Sequence, residues 1–181
     1  MAGIASVKAG IVEKAKLQFT WRGLGQPMED GMSVEANKTV VVRHFQELWN
    51  EGNLEKVYDF FAKDFTNFGQ RKQDGPEAVK AVVQVWRNAF PDLKFAVDYI
   101  VAEGDLVMCE VSFQGTHQHE LPLIPPLKGP PLPPSDKPFK TKHIHRFRLK
   151  DGLIVEHLAV RDDLGMFREL GHLAALAKAA A

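Results

Sequence analysis

Cysteine is almost missing: Cys109 is the one copy in 181 residues. No intrachain disulfide can form and a Cys-based zinc cluster is impossible, which fits a reducing compartment. An excess of either charge is absent as well, since 23 Lys and Arg balance 23 Asp and Glu. Nothing overall draws the chain toward nucleic acid or anionic membrane. Long hydrophobic runs are lacking too, none approaching the ~20 residues that span a bilayer. Met1 to Gly10 carries one lysine among small residues, without the continuous apolar stretch of a signal peptide. The expectation is a cytoplasmic protein with no nucleic-acid and no membrane partner.

What the chain does have is enough apolar material for a core. Hydrophobic residues make up 45% and charged residues 25%, which excludes wholesale disorder. The length suits one core with extensions rather than two domains. Ile4, Val7, Ile11 and Ala15 are spaced like a helical face before Gly23, Gly25 and Pro27 break the pattern. The expected organisation is therefore an N-terminal arm, 1–33, and one domain, 34–181. Eight of the eleven prolines fall between Pro122 and Pro138, a stretch whose composition favours stiff, extended backbone. It is expected at the rim of a sheet, where Leu123, Ile124, Leu127 and Leu132 would lid a pocket or meet a partner.

From Val34 the periodicity is helical. Val41, Phe45, Leu48 and Trp49 form one stripe that ends at Asn50-Glu51-Gly52. Asn53 is a candidate cap for a short helix with Leu54, Val57, Tyr58 and Phe61 on its buried face. Asp74-Gly75-Pro76-Glu77 reads as the start of a third helix, striped by Val79, Val82, Val83, Trp86 and Phe90 and stopped by Pro91. Beyond Pro91 the period falls to two. Leu93 to Val101, Leu106 to His117, Phe139 to Leu149 and Leu153 to Val160 read as strands, with tight reversals at Glu103-Gly104-Asp105 and Lys150-Asp151-Gly152. Asp162 to Leu176 returns to helical spacing through Leu164, Phe167, Leu170 and Leu173. Helices first and antiparallel strands afterwards indicate an α+β fold in which helices cover one face of a curved sheet.

The last hairpin predicts which side chains converge. A two-residue turn at Asp151-Gly152 pairs Lys150 with Leu153, and unbroken counting pairs Phe147 with Glu156, His145 with Leu158 and His143 with Val160. One face is then His143, His145, Phe147, Glu156, Leu158 and Val160, followed by Asp162. Imidazoles and carboxylates among aliphatics make a poor dry core but a good small-molecule pocket. The opposite face, with Ile144, Arg146, Arg148, Val155, His157, Ala159 and Arg161, is expected to meet solvent or a second copy. The assignment depends on register, because a slip of one residue exchanges the faces.

Phe90-Pro91-Asp92-Leu93 at a helix-to-strand junction, Glu103-Gly104-Asp105 before a strand and Gly115-Thr116-His117 at its end form one part of a longer series. Asp151-Gly152-Leu153-Ile154-Val155-Glu156-His157, leading to Arg161-Asp162-Asp163-Leu164-Gly165, completes it. In order and spacing these segments resemble the SnoaL-like polyketide cyclase family, over about Asn37 to Gly171. The resemblance implies the cone of the nuclear-transport-factor-2-like (NTF2-like, cystatin-like) superfamily. That is a curved, mainly antiparallel sheet around about three N-terminal helices, here with a C-terminal helix and the arm. It implies intramolecular aldol condensation of a polyketide methyl ester without metal or organic cofactor. By the same resemblance Asp162 is the general acid and base, and Asn67 matches a polar pocket position.

An aldol step needs a base beside a carbon acid and an acid at the acceptor oxygen. Asp162 among Leu158, Val160, Phe147 and Trp86 would be desolvated and so made more basic. His143 or His145 would hydrogen-bond it or polarise a carbonyl. The other reading of Asp162 is a helix N-cap. The expected ligand is a small hydrophobic molecule, held by Asn67, Trp86, Phe90, His117, Phe147, Glu156 and Leu158. Trp86 and Phe90 also read as core, Asn67 as a turn residue, and Glu156 as the partner of a buried salt bridge to Arg87. A second His-x-His pair, His117 and His119 with Glu120, raises a divalent metal, but the cupin glutamate spacing is missing and no metal is expected. The arm and the arginine-bearing face favour a homodimer. Readings of other classes are a non-catalytic binding module of the same fold and an isomerase or hydrolase.

Overall fold

The structure is a computed structural model that describes residues 33–68, 72–123 and 129–175. The arm before Ser33, and Ile124 and Leu127 of the proline-rich stretch, lie outside the described residues. Ser33 accepts from Ala36 N–H and so caps α1, Val34–Arg43. The chain continues directly into a π-helical segment, His44–Asn50, in which Glu51 N–H donates to the Gln46 carbonyl at 3.0 Å. His44, three residues after Val41 and four before Leu48, shares their helical face. Phe45 and Leu48 are buried as expected, and His44 joins them.

A 3₁₀ turn, Leu54–Lys56, leads into α2, Val57–Phe60. Asn53 does not cap it; its side-chain amide donates to Glu51 instead. Tyr58 is exposed, and Phe61 is already extended. The expected second helix is thus cut short by β1, Phe61–Phe68, whose β-branched and aromatic neighbours favour strand. Next come β2, Lys72–Asp74, and α3, Gly75–Ala89. The rest follows the sequence reading closely: β3, Lys94–Glu103; β4, Leu106–Thr116; β5, Pro138–Lys150; β6, Leu153–Arg161; and α4, Asp163–Leu170.

The strands form one curved, unclosed sheet in the order β2-β1-β6-β5-β4-β3, the α+β architecture expected. Every neighbouring pair is antiparallel except β1 with β6. Its inner face is laid against α1, the π segment and α3. Strict alternation along β5 sends Phe139, Thr141, His143, His145, Phe147 and Leu149 inward. Burying each such phenylalanine contributes on the order of 2 kcal/mol, so this strand anchors the core.

Two polar devices fix the helices to the sheet. The Asn50 amide donates to the Phe95 carbonyl at 2.9 Å while its oxygen accepts from Phe95 N–H at 2.7 Å, as a neighbouring strand would. Arg87 donates through Nη1 to the carbonyls of Trp49 and Asn50 at 2.7 and 2.9 Å, closing the open end of the π segment. Gly52 is left-handed there, and a Cβ would sit 2.6 Å from Arg87 Nε. Arg87 is therefore not the partner of Glu156.

The proline-rich stretch folds back on itself. Leu121 and Leu132 exchange backbone hydrogen bonds of 3.0 and 2.9 Å and are both buried in the core. Ahead of it, Gln118 and His119 N–H groups donate to the Ala89 carbonyl, capping α3. α4 ends earlier than the spacing suggested. Gly171, at φ +80°, terminates it in a left-handed cap, and Leu164 and Leu173 are exposed while Met166 and Leu170 are buried. Among the described residues, no helix is long and apolar enough to cross a membrane.

Candidate active site

The hairpin turn is as expected: Asp151 and Gly152 both have positive φ, and Lys150 pairs with Leu153 and Leu149 with Ile154. The next pairs are Arg148 with Glu156, Phe147 with His157, His145 with Ala159 and His143 with Arg161. A bulge at Val155 inserts one residue into β6. A bulge shifts everything beyond it by one position, so the faces of β6 are the reverse of those predicted. His157, Ala159 and Arg161 face inward. Glu156, Leu158 and Val160 face outward beside Arg146 and Arg148, and Glu156 pairs with Arg148 at 3.3 Å and Arg146 at 3.6 Å.

A cavity of about 120 Å³ lies between this inner face, β1, the π segment and α3. Aromatic walls come from Phe45, Trp49, Phe61, Phe65, Trp86, Phe95, Phe113 and Phe147. The polar groups are Asn67, Arg161 and four imidazoles, His44, His143, His145 and His157. Of the residues expected to hold a ligand, Asn67, Trp86 and Phe147 line the cavity, as do His143 and His145.

Four expected residues do not. Glu156 and Leu158 are turned out by the bulge. Phe90 is fully buried behind Trp86, on which it stacks with ring centres 5.6 Å apart. His117 is buried against Phe90 in a separate cluster, its Nδ1 lying 3.3 Å from His172 Nε2 and 3.4 Å from Ser135 Oγ. Asp162 also stands outside the cavity lining and is exposed rather than desolvated. Its Oδ1 accepts from Gly165 N–H at 2.8 Å, so the N-cap reading is realised by Asp162 itself. A side chain at position 165 would collide with it, a Cβ lying 2.2 Å from Oδ2.

The imidazoles are held neutral. Burial pushes His44 down to about 4, and its Nδ1–H donates to the Val41 carbonyl at 2.9 Å, which fixes the tautomer. Burial, then the nearby Arg161 charge, lowers His143 to about 3, while Asp162 pulls the other way. His145 lies well below the ordinary histidine range, through burial and then through His157 and His143. His157 is held at about 3 by burial, His44 and Arg161. Both ring nitrogens of His143, and Nε2 of His145, are buried without a hydrogen-bond partner among the described residues. Buried polar atoms in that condition are uncommon and costly. Here they border a cavity, where a ligand can supply the missing partners. Among the described residues no group of three or more His, Cys, Asp or Glu could hold a metal ion.

Of the polar cavity residues outside the expected site, one carries a sequence signal and two do not. His44 sits three residues after Val41 and four before Leu48, on the face of the expected stripe, but as a polar residue it does not count toward an apolar pattern. His157 and Arg161 lay on the face assigned to solvent because no residue in the strand announces the bulge.

The model of the SnoaL-like polyketide cyclases matches residues 39–170. The chain belongs to that family. Two curated relatives are aklanonic acid methyl ester cyclases: DauD of Streptomyces sp. (strain C5) and DnrD of Streptomyces peucetius. Each is 29% identical over 136 residues, covering 72% of this chain and, respectively, 80% and 88% of theirs. Among solved structures, TsrD from Streptomyces laurentii superposes with a TM-score of 0.68 at 25% identity, covering 78% of this chain and 99% of its own. Family membership and these relatives support a cyclase-type role for the chain.

Proposed function

We propose that the chain is a cofactor-independent cyclase that closes a ring in a hydrophobic, polyketide-like carbonyl compound by intramolecular aldol condensation. The observation that carries this reading is His143: a buried, neutral imidazole with both nitrogens unpartnered, facing an aromatic cavity. Burial opposes protonation of His143 while the pocket is empty, but proton transfer from a bound carbon acid creates an imidazolium–enolate pair, and the enolate's opposite charge offsets that desolvation. His143 takes the proton from a carbon flanked by carbonyl groups. The resulting enolate carbon bonds to the acceptor carbonyl carbon, whose π electrons move to oxygen. The imidazolium then returns its proton to that alkoxide, so product and substrate are isomers. Asp162, whose charge favours protonated His143, supports the imidazolium from the end of β6. His145, tied to His157, and Asn67 orient the carbonyl oxygens.

The relatives' substrate supplies the test. Aklanonic acid methyl ester and further aromatic polyketide methyl esters would be incubated with the protein and analysed by chromatography and mass spectrometry. A product of unchanged mass and altered retention, formed by the wild type and not by His143→Gln, is the expected result. Equal conversion by both would overturn the role of His143. Tight binding of such esters without conversion would instead favour a non-catalytic binding module.

A further inference from the structure

Arg161 is the only permanently charged side chain among the described residues that line the cavity. The bulge at Val155 puts it there, opposite His143 across the β5–β6 ladder. Its polar partner among the described residues is Asp163, which accepts from Nη2 at 2.8 Å. That bond occupies one edge of a guanidinium with five N–H donors in a fixed fork. The rest of the wall is made of aromatic and aliphatic side chains, the Asn67 amide and imidazoles that carry no charge near neutral pH. Placing a guanidinium in such a wall costs hydration, and an anionic ligand oxygen is the partner that offsets the cost best, through a short charge-assisted hydrogen bond.

We propose that Arg161 forms an anion subsite, at which the cavity holds the ionised form of an aromatic enol or phenol in preference to its neutral acid. This rests on and deepens the cyclase reading, because the first intermediate of that reaction is an enolate. Arg161 would face the enolate oxygen while His143 faces the carbon-bound proton. Asp162 and Asp163, at the adjoining start of α4, set the opposing charge. Asp163 holds Arg161 through its hydrogen bond and moderates its pull, and neither aspartate reaches the cavity lining.

The probe is 4-nitrophenol, which ionises near neutral pH and absorbs visible light only as the anion. On binding, its proton passes to solvent. Titrating the protein into the probe at a pH below the probe's own midpoint should therefore raise the anion absorbance. The expected bound anion-to-neutral ratio is about tenfold above that in solution. Arg161→Gln should abolish that enrichment, and Arg161→Lys, keeping the charge but not the fork, should keep part of it. Nitrobenzene, the same ring without the ionisable oxygen, should bind wild type and Arg161→Gln alike, which also shows that the pocket has folded. The proposal is overturned if the bound probe is mostly neutral, if Arg161→Gln retains the enrichment, or if nitrobenzene loses affinity in parallel. Enrichment in a protein that converts no ester would leave the subsite standing and remove the cyclase reading. Conversion without enrichment would do the reverse.

Discussion

His145 Nδ1 lies 2.8 Å from His157 Nε2, a hydrogen bond between two imidazoles on neighbouring strands. One ring must donate and the other accept, so the pair locks both tautomers and leaves His145 Nε2 directed at other company. His157 also stacks on Phe147, ring centres 4.8 Å apart. His157→Phe keeps the stack and removes the bond. It should leave the fold intact, lower turnover by about tenfold or more, and replace the single tautomer pattern of His145 in nitrogen NMR by a mixture. An unchanged His145 spectrum would show that the bond does not set the tautomer.

Asp162 offers a clean separation of structure from chemistry. Asparagine caps helices about as well as aspartate, so Asp162→Asn should keep the bond to Gly165 N–H and unfold within about 0.5 kcal/mol of wild type. Asp162→Ala should cost about 1 kcal/mol. Both remove the charge that favours protonated His143, and both should slow turnover. Slow turnover in the alanine variant alone would assign Asp162 to capping only.

The buried imidazoles make stability pH-dependent. Above pH 6.5 neither the folded nor the unfolded chain protonates them appreciably. Below 6.5 the unfolded chain takes up protons, while folded His143 does not until about 3. Stability therefore falls as pH drops from about 6.5 toward 3, and His143 alone accounts for about 2 kcal/mol of loss by pH 5. Denaturation midpoints measured from pH 8 to 4 should show this decline. His143→Gln should flatten it, and an equally steep decline in that variant would show that the sensitivity lies elsewhere.

Arg87 closes the end of the π segment by holding two carbonyls. Arg87→Ala should cost about 2 kcal/mol in chemical denaturation, since both carbonyls lose a charged donor. Because Trp49 lines the cavity, ligand affinity should fall with it. A stable variant with unaltered binding would contradict this assignment.

Cys109 is buried on the inner side of β4, and burial alone lifts its thiol to about 12. A thiol-reactive dye should label it slowly in the native protein and completely in denaturant, with a native rate about a thousandfold below that of a free thiol. Fast native labelling would mean that β4 opens readily.

Much of this fold was legible because its signals are local. Pro91 ends α3, Asp151-Gly152 turns the hairpin, and the period-two apolar runs mark β3 to β6 to within a residue or two. What escaped was non-local. β1 reads locally as part of a helix and a turn, because its parallel pairing with β6 draws on residues about ninety positions away, such as Phe61 with Ile154. The site is legible in kind, as imidazoles and aromatics around a cavity, and His143, His145, Phe147, Trp86 and Asn67 do line one. Phe90 and His117 lie behind Trp86 in a separate cluster, while Glu156, Leu158 and Asp162 stand outside the lining for one shared reason. A single extra residue at Val155 exchanges the two faces of β6, and side-chain alternation carries no record of where a bulge will fall.

The central claim is that neutral His143 moves the proton in ring closure. Its most direct test is the steady-state turnover of an accepted polyketide ester by wild type and His143→Gln. The account predicts that kcat falls by about a hundredfold or more while KM changes little, because glutamine keeps a polar side chain of similar reach at the wall but cannot take a proton. A kcat equal to that of the wild type would contradict it.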